Sequence, residues 1–401
     1  LQAVRASGAP GAVAYTGNVS ETQFQGAVGY QQRVPNLYAA QSGTLYDLAS
    51  LTKVVATATA TMMLRDMGAM DLRQSVADFI PLPQFRGITP WHLLTHTAGF
   101  AAVSPWYREI NDTTEMIARM AAEGIEAPPG VRRKYSDLGF ILLGRIVEIA
   151  GRDSLSGFCG RNIFAPCGMR NTMFRPTEAL RPFCAATENS PWRGGIMQGE
   201  VHDENAWALG GIAGHAGLFS TAEDLAQFCR ALLSNQLLSA ATLEEMTRLG
   251  HLPYYPWQAL GWRVDPWQSG AEGFLRARTA FGHSGWVGTS LWLDRASGQF
   301  CILLSNTPHP ERSLRDNRTL RVTFHQAVSE LSYPDSTNTH SGLDRVLWDN
   351  FEPLGARRIA LLTHHAAIDG SGRPILDVLA LSPALKLVRV FSPEHGLRGQ
   401  V

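Results

Sequence analysis

Ser50-Leu51-Thr52-Lys53 places a hydroxyl and an amine three residues apart. On a helix that spacing puts both groups on one face, about one turn from each other. A lysine that has shed its proton can take the proton of the serine and make it a nucleophile. Burial and neighbouring positive groups are expected to lower the Lys53 pKa, so that it acts as a base near neutrality. The plain alternative is a surface serine beside a snorkelling lysine. Two later segments weigh against it: Tyr135-Ser136-Asp137 and His283-Ser284-Gly285. The combination predicts acyl transfer through a serine.

Each later segment has a role in that chemistry. A phenol at Tyr135 can shuttle a proton between Ser50 and the leaving group. Asp137 either holds Lys53 through a charge-assisted bond or caps a helix. FGHSGWVG at 281–288 reads as a strand, with His283 on one side and Ser284 on the other. His283 is expected to orient Tyr135 or a substrate carboxylate; otherwise it is an ordinary strand-end histidine. Gly285 permits close approach by substrate, which Ser284 and Gly285 would contact, or by the serine helix. The N–H groups of Ser50 and Trp286 are the expected oxyanion hole.

These residues need a scaffold. GAVAYTG and QGAVGYQ read as neighbouring antiparallel strands. Residues 50–67 form a helix pattern with Val54, Ala58, Met62 and Leu64 on an apolar face, stopped at Gly68, with Asp71 capping the next short segment. LGFILLGRIVEIAG is a second apolar helix, entered just after Tyr135. Residues 176–217 read as long loops around a cleft. Residues 220–236 begin with a capping-box pattern. Strands are expected within 281–305, joined by a turn at RASG, and a helix over 311–331 packs back on them. The expected fold is α/β of the α+β type: an antiparallel sheet flanked by helices, with a helical subdomain. It occupies residues 1–335. PDSTNTHSG is a linker candidate, and residues 343–401 carry a βαβ-like order too short for a complete α/β domain.

Composition narrows the partners. Among 401 residues, Lys plus Arg is 35 and Asp plus Glu is 35, so nothing points to nucleic acid or an anionic membrane. No run reaches the roughly 18 apolar residues of a membrane span. The five cysteines are odd in number, which predicts free thiols, with Cys159–Cys167 as the alternative pairing. The first twenty residues lack the continuous apolar core of a signal peptide, so the chain reads as a processed secreted protein or a trimmed one.

Taken together, the motifs resemble the class C β-lactamase and penicillin-binding-protein-like superfamily. Ser50 and Lys53 match its SxxK motif. Tyr135 matches the tyrosine of YxN, with Asp137 where Asn is usual. His283-Ser284-Gly285 matches KTG, with His in place of Lys. ITPWHLLTHTAGF, DLGFILLGRIVEIAG, PCGMRNTMF and GLFSTAEDLAQF also resemble its segments. The resemblance covers residues 8 to about 330. It implies a covalent acyl-enzyme on an amide or ester, without a cofactor. The departures at Asp137 and His283 argue against efficient penicillin hydrolysis.

Residues 187–219 resemble a subgroup containing N-acetylmuramyl-L-alanine amidases of bacterial cell-wall recycling. Glu188, Arg193, His202 and Asn205 then line a polar cleft for sugar or peptide, together with Asp203 and His215. His202, Asp203 and His215 are also metal-ligand types, but they lack a familiar zinc spacing. Hydrogen bonding that orders a glycine-rich loop is the expected role, and no metal is expected. The tail, ARRIALLTHHAAIDGSGRPILDVLA and VRVFSPEHGLRG, resembles the start of exo-β-N-acetylmuramidases, with Thr363-His364 a departure from its first motif. There Glu394 would be the acid or base, beside His395.

The expected substrate is therefore a muropeptide, cut between N-acetylmuramic acid and L-alanine in the periplasm or outside the cell of a bacterium. A broad esterase or D-amino-acid peptidase of β-lactamase type is the alternative enzyme. A non-catalytic muropeptide- or penicillin-binding module is the alternative of another class.

Overall fold

The computed structural model describes residues 1–252, 255, 257–264, 279–314, 316–332, 358–363, 367, 374–379 and 385–391. Thirteen strands run in chain order among them: β1 (Gly11–Asn18), β2 (Thr22–Gln32), β3 (Tyr38–Ala39), β4 (Tyr46–Asp47), β5 (Met173–Phe174), β6 (Ala186–Ser190), β7 (Gly195–Gln198), β8 (Leu218–Ser220), β9 (Ala280–Ser284), β10 (Ser290–Asp294), β11 (Gln299–Ser305), β12 (Arg358–Leu362) and β13 (Lys386–Phe391). Six of them form an antiparallel sheet in the order β3-β2-β1-β11-β10-β9. The two N-terminal strands expected from sequence are β1 and β2, paired in register from Gly11 opposite Gly29.

Strand alternation explains the layers. Along β11, Phe300, Ile302 and Leu304 face the large core, where they meet the helices Thr59–Asp66, Asp137–Gly151 and Ala222–Leu233. Leu303 faces the other way and packs with Val4, Ala12 and Leu320, so the helices Gln2–Ser7 and Asn317–Ser332 cover that face. The result is the α/β arrangement expected: a central antiparallel sheet between helical layers.

Some elements differ in detail from the sequence reading. The helix over 50–67 starts as a 3-10 turn at Ala49–Leu51, continues as a π-helical turn over Lys53–Ala58, and becomes α-helical only at Thr59. Asp71 accepts the N–H of Arg73, but the cap of the next helix, Val76–Phe79, is Ser75. Residues 176–217 are not all loop: they include the β6–β7 hairpin and the short helix Glu204–Ala208. Thr221 caps Ala222–Leu233 by accepting the N–H of Asp224. All five cysteines are free, Cys159 and Cys167 included.

Toward the C-terminus, β12 and β13 pair in parallel with the helix Ile375–Leu379 between them in sequence. That is the β-α-β order expected there. The linker candidate at 334–342 and both Glu394 and His395 lie outside the described residues. Among the described residues no helix is long and apolar enough to cross a membrane.

Candidate active site

Ser50 is presented by a constrained loop. β4 pairs with β8, and the Leu48 N–H donates to Leu218. Asp47 then accepts the N–H of Ala49 at 2.7 Å through one oxygen and that of His202 at 2.7 Å through the other. Ala49 is held at φ 47°, a left-handed conformation disfavoured for a residue with a Cβ. Burial pushes the Asp47 carboxyl up to about 6, against the pull of its two N–H donors. Nothing in the sequence singles out Asp47.

Lys53 is fully buried and its ammonium has three oxygen partners: Ser50 Oγ at 2.9 Å, Asp137 Oδ1 at 2.7 Å and the carbonyl of His215 at 3.1 Å. An ammonium has three protons to donate, so this set satisfies it. The expected lowering of its pKa is corrected by the structure. Burial acts to lower it, but the Asp137 carboxylate and the Tyr135 phenol outweigh burial, and the net direction is up. Lys53 is a cation at rest. The expectation failed because Asp137 faces inward: Ser136 is the helix cap, accepting the N–H of Gly139, which leaves Asp137 free to pair with Lys53.

The carbonyl of His215 reaches Lys53 because Gly214 lets its loop press on the helix Asp137–Gly151. A Cβ at Gly214 would sit 2.0 Å from the carbonyl oxygen of Phe140. The Thr57 hydroxyl donates to the Gly214 carbonyl at 2.7 Å and pins the same contact.

Tyr135 lies over Lys53, whose Nζ is 4.9 Å from the ring centroid. His96 packs against that ring at 4.5 Å between centroids and His283 at 6.1 Å. His283 donates from Nδ1 to the Ser284 carbonyl at 3.0 Å. Its pKa is pushed well below the ordinary value by burial, then by Arg263 and Lys53. A neutral ring stacked on Tyr135 fits the orienting role, not a charge partner for a substrate carboxylate. His96 belongs to the site's geometry, and the sequence reading did not single it out. It is buried, has φ 57°, and accepts the N–H of Ser136 at Nδ1, so it ties down the Tyr135-Ser136-Asp137 turn. Burial and the charges of Arg133 and Lys53 hold it neutral. Its segment, LLTHTAGF, stands out in sequence only as a family likeness.

Gly285 brings the end of β9 against the serine loop. A Cβ there would lie 2.1 Å from Thr289 Oγ1 and 2.4 Å from the Leu48 carbonyl oxygen. Arg321 donates to the carbonyls of Gly285 and Thr289 at 2.5 and 3.0 Å, and Asn317 donates to that of Trp286 at 2.6 Å. The turn after Ser284 is therefore fixed from the helix Asn317–Ser332.

The 187–219 segment forms an adjoining wall. The ring of His202 stacks on Trp286, and Glu188 binds Arg312 and lies 3.5 Å from His202. Arg193 is turned inward, donating to the carbonyls of Val201 and His202 and pairing with Glu200. Asn205 is also buried, joining the Ser104 carbonyl to the Tyr107 N–H. Both order the loop; neither presents its side chain to the cleft, as the sequence reading had them do. His215 bonds to Asp203, which caps the helix Glu204–Ala208. The carboxyl of Asp203 is held low by His215, against its burial. His202 and His215 thus turn to different partners, and among the described residues no three His, Cys, Asp or Glu side chains gather as a metal site.

Comparison with known proteins places this geometry. The Beta-lactamase family model matches residues 2–325. A protein of Escherichia coli strain K12 named "Putative D-alanyl-D-alanine carboxypeptidase" is 32% identical over 329 residues, 72% of this chain and 74% of that protein. A protein of the same name from Salmonella enteritidis PT4 is 32% identical over 312 residues, 67% of this chain and 71% of its own. Among solved structures, the class C β-lactamase of Rhodobacter sphaeroides superposes with a TM-score of 0.65 at 18% identity, covering 82% of this chain and 97% of that one.

Proposed function

This chain belongs to the β-lactamase family and is a serine hydrolase, and from that premise we propose that Ser50 forms an acyl-enzyme with a peptide of peptidoglycan type and releases a D-amino acid from it. The observation that carries the proposal is the contact of Lys53 Nζ with Ser50 Oγ at 2.9 Å, inside an ion pair with Asp137. The relatives' name, D-alanyl-D-alanine carboxypeptidase, supports the substrate.

Because Lys53 is charged at rest, it works as a relay. It takes the Ser50 proton as it passes one of its own to Asp137, 2.7 Å away. Ser50 Oγ bonds to the carbonyl carbon, and the N–H groups of Ser50 and Trp286 receive the oxyanion. Tyr135 gives its proton to the leaving nitrogen and is refilled from Lys53, which recovers its own from Asp137. Water then hydrolyses the ester by the same relay run in reverse. His283 and His96 hold the Tyr135 ring in place for both steps.

A second reading keeps the mechanism and moves the scissile bond to the amide between N-acetylmuramic acid and L-alanine. The position of the 187–219 wall supports it, since that segment carries the amidase likeness and stacks on Trp286. Residues 343–401 we read as the start of a muramidase-like unit, supported by the parallel β12–β13 pair. A substrate of peptidoglycan type supports a periplasmic or secreted location.

Mass spectrometry separates the readings. The chain and Ser50→Ala are incubated with a tripeptide ending in D-Ala-D-Ala and with N-acetylmuramyl-L-alanyl-D-isoglutamine. Ser50-dependent release of D-alanine is the expected result. Release of free N-acetylmuramic acid instead would establish the second reading. Turnover of simple esters alone would make the chain a broad esterase.

A further inference from the structure

Of the oxygens around the Lys53 ammonium, those of Ser50 and Asp137 belong to side chains, and the His215 carbonyl at 3.1 Å belongs to backbone. This backbone contact helps to set the direction of the other two, because the N–H bonds of an ammonium are fixed relative to one another. The carbonyl sits in a glycine-rich loop. Gly210, Gly211 and Gly217 all have positive φ, and such a chain does not hold an atom in place by itself. Ties from outside must do so. Thr57 donates to the Gly214 carbonyl at 2.7 Å and Thr52 Oγ1 accepts the Leu218 N–H at 3.2 Å, both from the segment that carries Lys53. A further tie comes from the 187–219 wall. The His215 ring is 1% exposed, and its Nε2 donates to Asp203 Oδ1 at 2.7 Å. Nδ1 of that ring is buried without a hydrogen-bond partner among the described residues, so the Asp203 contact is what orients the ring.

Asp203 is itself well fixed. It caps the helix Glu204–Ala208 by accepting the Ala206 N–H at 2.8 Å. Its chain neighbour His202 gives its N–H to Asp47, whose other oxygen holds the Ala49 N–H beside the nucleophile, and stacks its ring on Trp286. Two adjacent residues thus reach the serine loop, the turn after β9 and the lysine. We propose that Asp203 and His215 are positioning residues: their contact fixes the His215 carbonyl and through it aims Lys53 Nζ at Ser50 Oγ. This rests on the reading of Ser50 as nucleophile and Lys53 as its proton relay. A bond from a ring N–H to a carboxylate is short and strong, which suits it to hold a loop that its glycines leave soft.

The test follows the labelling of Ser50 by an alkyl fluorophosphonate over a range of probe concentrations, which separates the maximal rate from the half-saturating concentration. His215→Phe keeps a ring and the Asp203 cap but removes the bond between them. Its maximal rate should fall about tenfold or more, toward the ~100-fold that a misplacement near 1 Å costs, at an unchanged half-saturating concentration. His215→Gln carries an N–H where the histidine has Nε2, and should recover most of the rate. Asp203→Ala should fall as His215→Phe does, and the double variant no further, since both remove one contact. Thermal melting checks that each variant is folded. Should His215→Phe not fold, Asp203→Asn against Asp203→Ala makes the same comparison, because the amide oxygen still accepts from Nε2. An unchanged maximal rate in His215→Phe would overturn the proposal. So would a raised half-saturating concentration at constant maximal rate, which would mean that the pair only shapes the wall. A fall in Asp203→Ala alone would overturn it too, leaving the helix cap as the role of that carboxylate. Labelling that is absent, or that persists in Ser50→Ala, would sink the reading of Ser50 itself and the proposal with it.

Discussion

The rings of His202 and Trp286 stack with centroids 4.7 Å apart and planes 22° from parallel. This contact joins the 187–219 wall to the turn after β9. Arg312 closes it from outside, binding Glu188 and Glu204 while its guanidinium lies 5.6 Å from the Trp286 ring centroid.

Arg312→Ala should therefore loosen the wall without unfolding the chain. Arg312 is 46% exposed, so its ion pairs contribute less than about 1 kcal/mol to stability. KM for a peptide substrate should rise several-fold while the melting temperature stays nearly constant. Steady-state kinetics beside calorimetry decide it; a raised KM with a large loss of stability would mean that Arg312 is a fold determinant.

Gly285→Ala should be far more damaging than its one carbon implies. The new Cβ would meet the Leu48 carbonyl oxygen at 2.4 Å, and backbone cannot swing aside as a side-chain end can. Either β9 or the serine loop must shift. A displacement near 1 Å between reacting groups costs on the order of 100-fold in rate. The fluorophosphonate labelling rate of Ser50 reports it directly. An unchanged rate would show that the two segments move independently.

Asp137→Asn should move the pH–rate profile. The carboxylate is the chief group opposing the effect of burial on Lys53. Without it, burial lowers the Lys53 pKa, and the amine loses its proton at lower pH. The asparagine cannot take the proton that Lys53 hands on, so kcat should fall, and the activity left should rise with pH as the Lys53 amine loses its proton, a limb that the cationic relay of the unmodified chain does not have. A superimposable profile would show that Asp137 does not take that proton.

The serine, lysine and tyrosine positions were legible because each depends on local order: three residues along a helix start, or one residue before a helix cap. The long strands were legible from alternation. The charge state of Lys53 was not, because it depends on Asp137, 84 positions away in sequence, facing inward. Arg193 and Asn205 misled for a related reason. A polar side chain in a glycine-rich loop looks the same in sequence whether it faces substrate or satisfies buried carbonyls. His96 escaped notice since its role rests on a left-handed backbone and a ring contact, neither of which has a sequence pattern.

Asp47 gives a stability prediction whose sign comes from its position under the serine loop. Its folded pKa, about 6, lies above the ordinary 3.8, so the folded state holds the proton more tightly than the unfolded state. Between those values the unfolded chain gives up the proton while the folded chain still holds it, so rising pH favours the unfolded state. Stability contributed by this group is fully present below the ordinary value and is lost as pH rises through about 6. The loss is on the order of 3 kcal/mol across that window, since the group is buried from solvent screening. Asp47→Asn cannot titrate. The difference in unfolding free energy between the chain and the variant, measured by urea denaturation from pH 4 to pH 7, should fall by that order as pH rises. The ionised form is nevertheless the better acceptor for the N–H groups of Ala49 and His202. Activity should therefore rise over the same window in which stability falls, and in Asp47→Asn both trends should flatten. A difference curve that is flat or rises with pH would show that the two N–H donors outweigh burial and hold Asp47 ionised throughout.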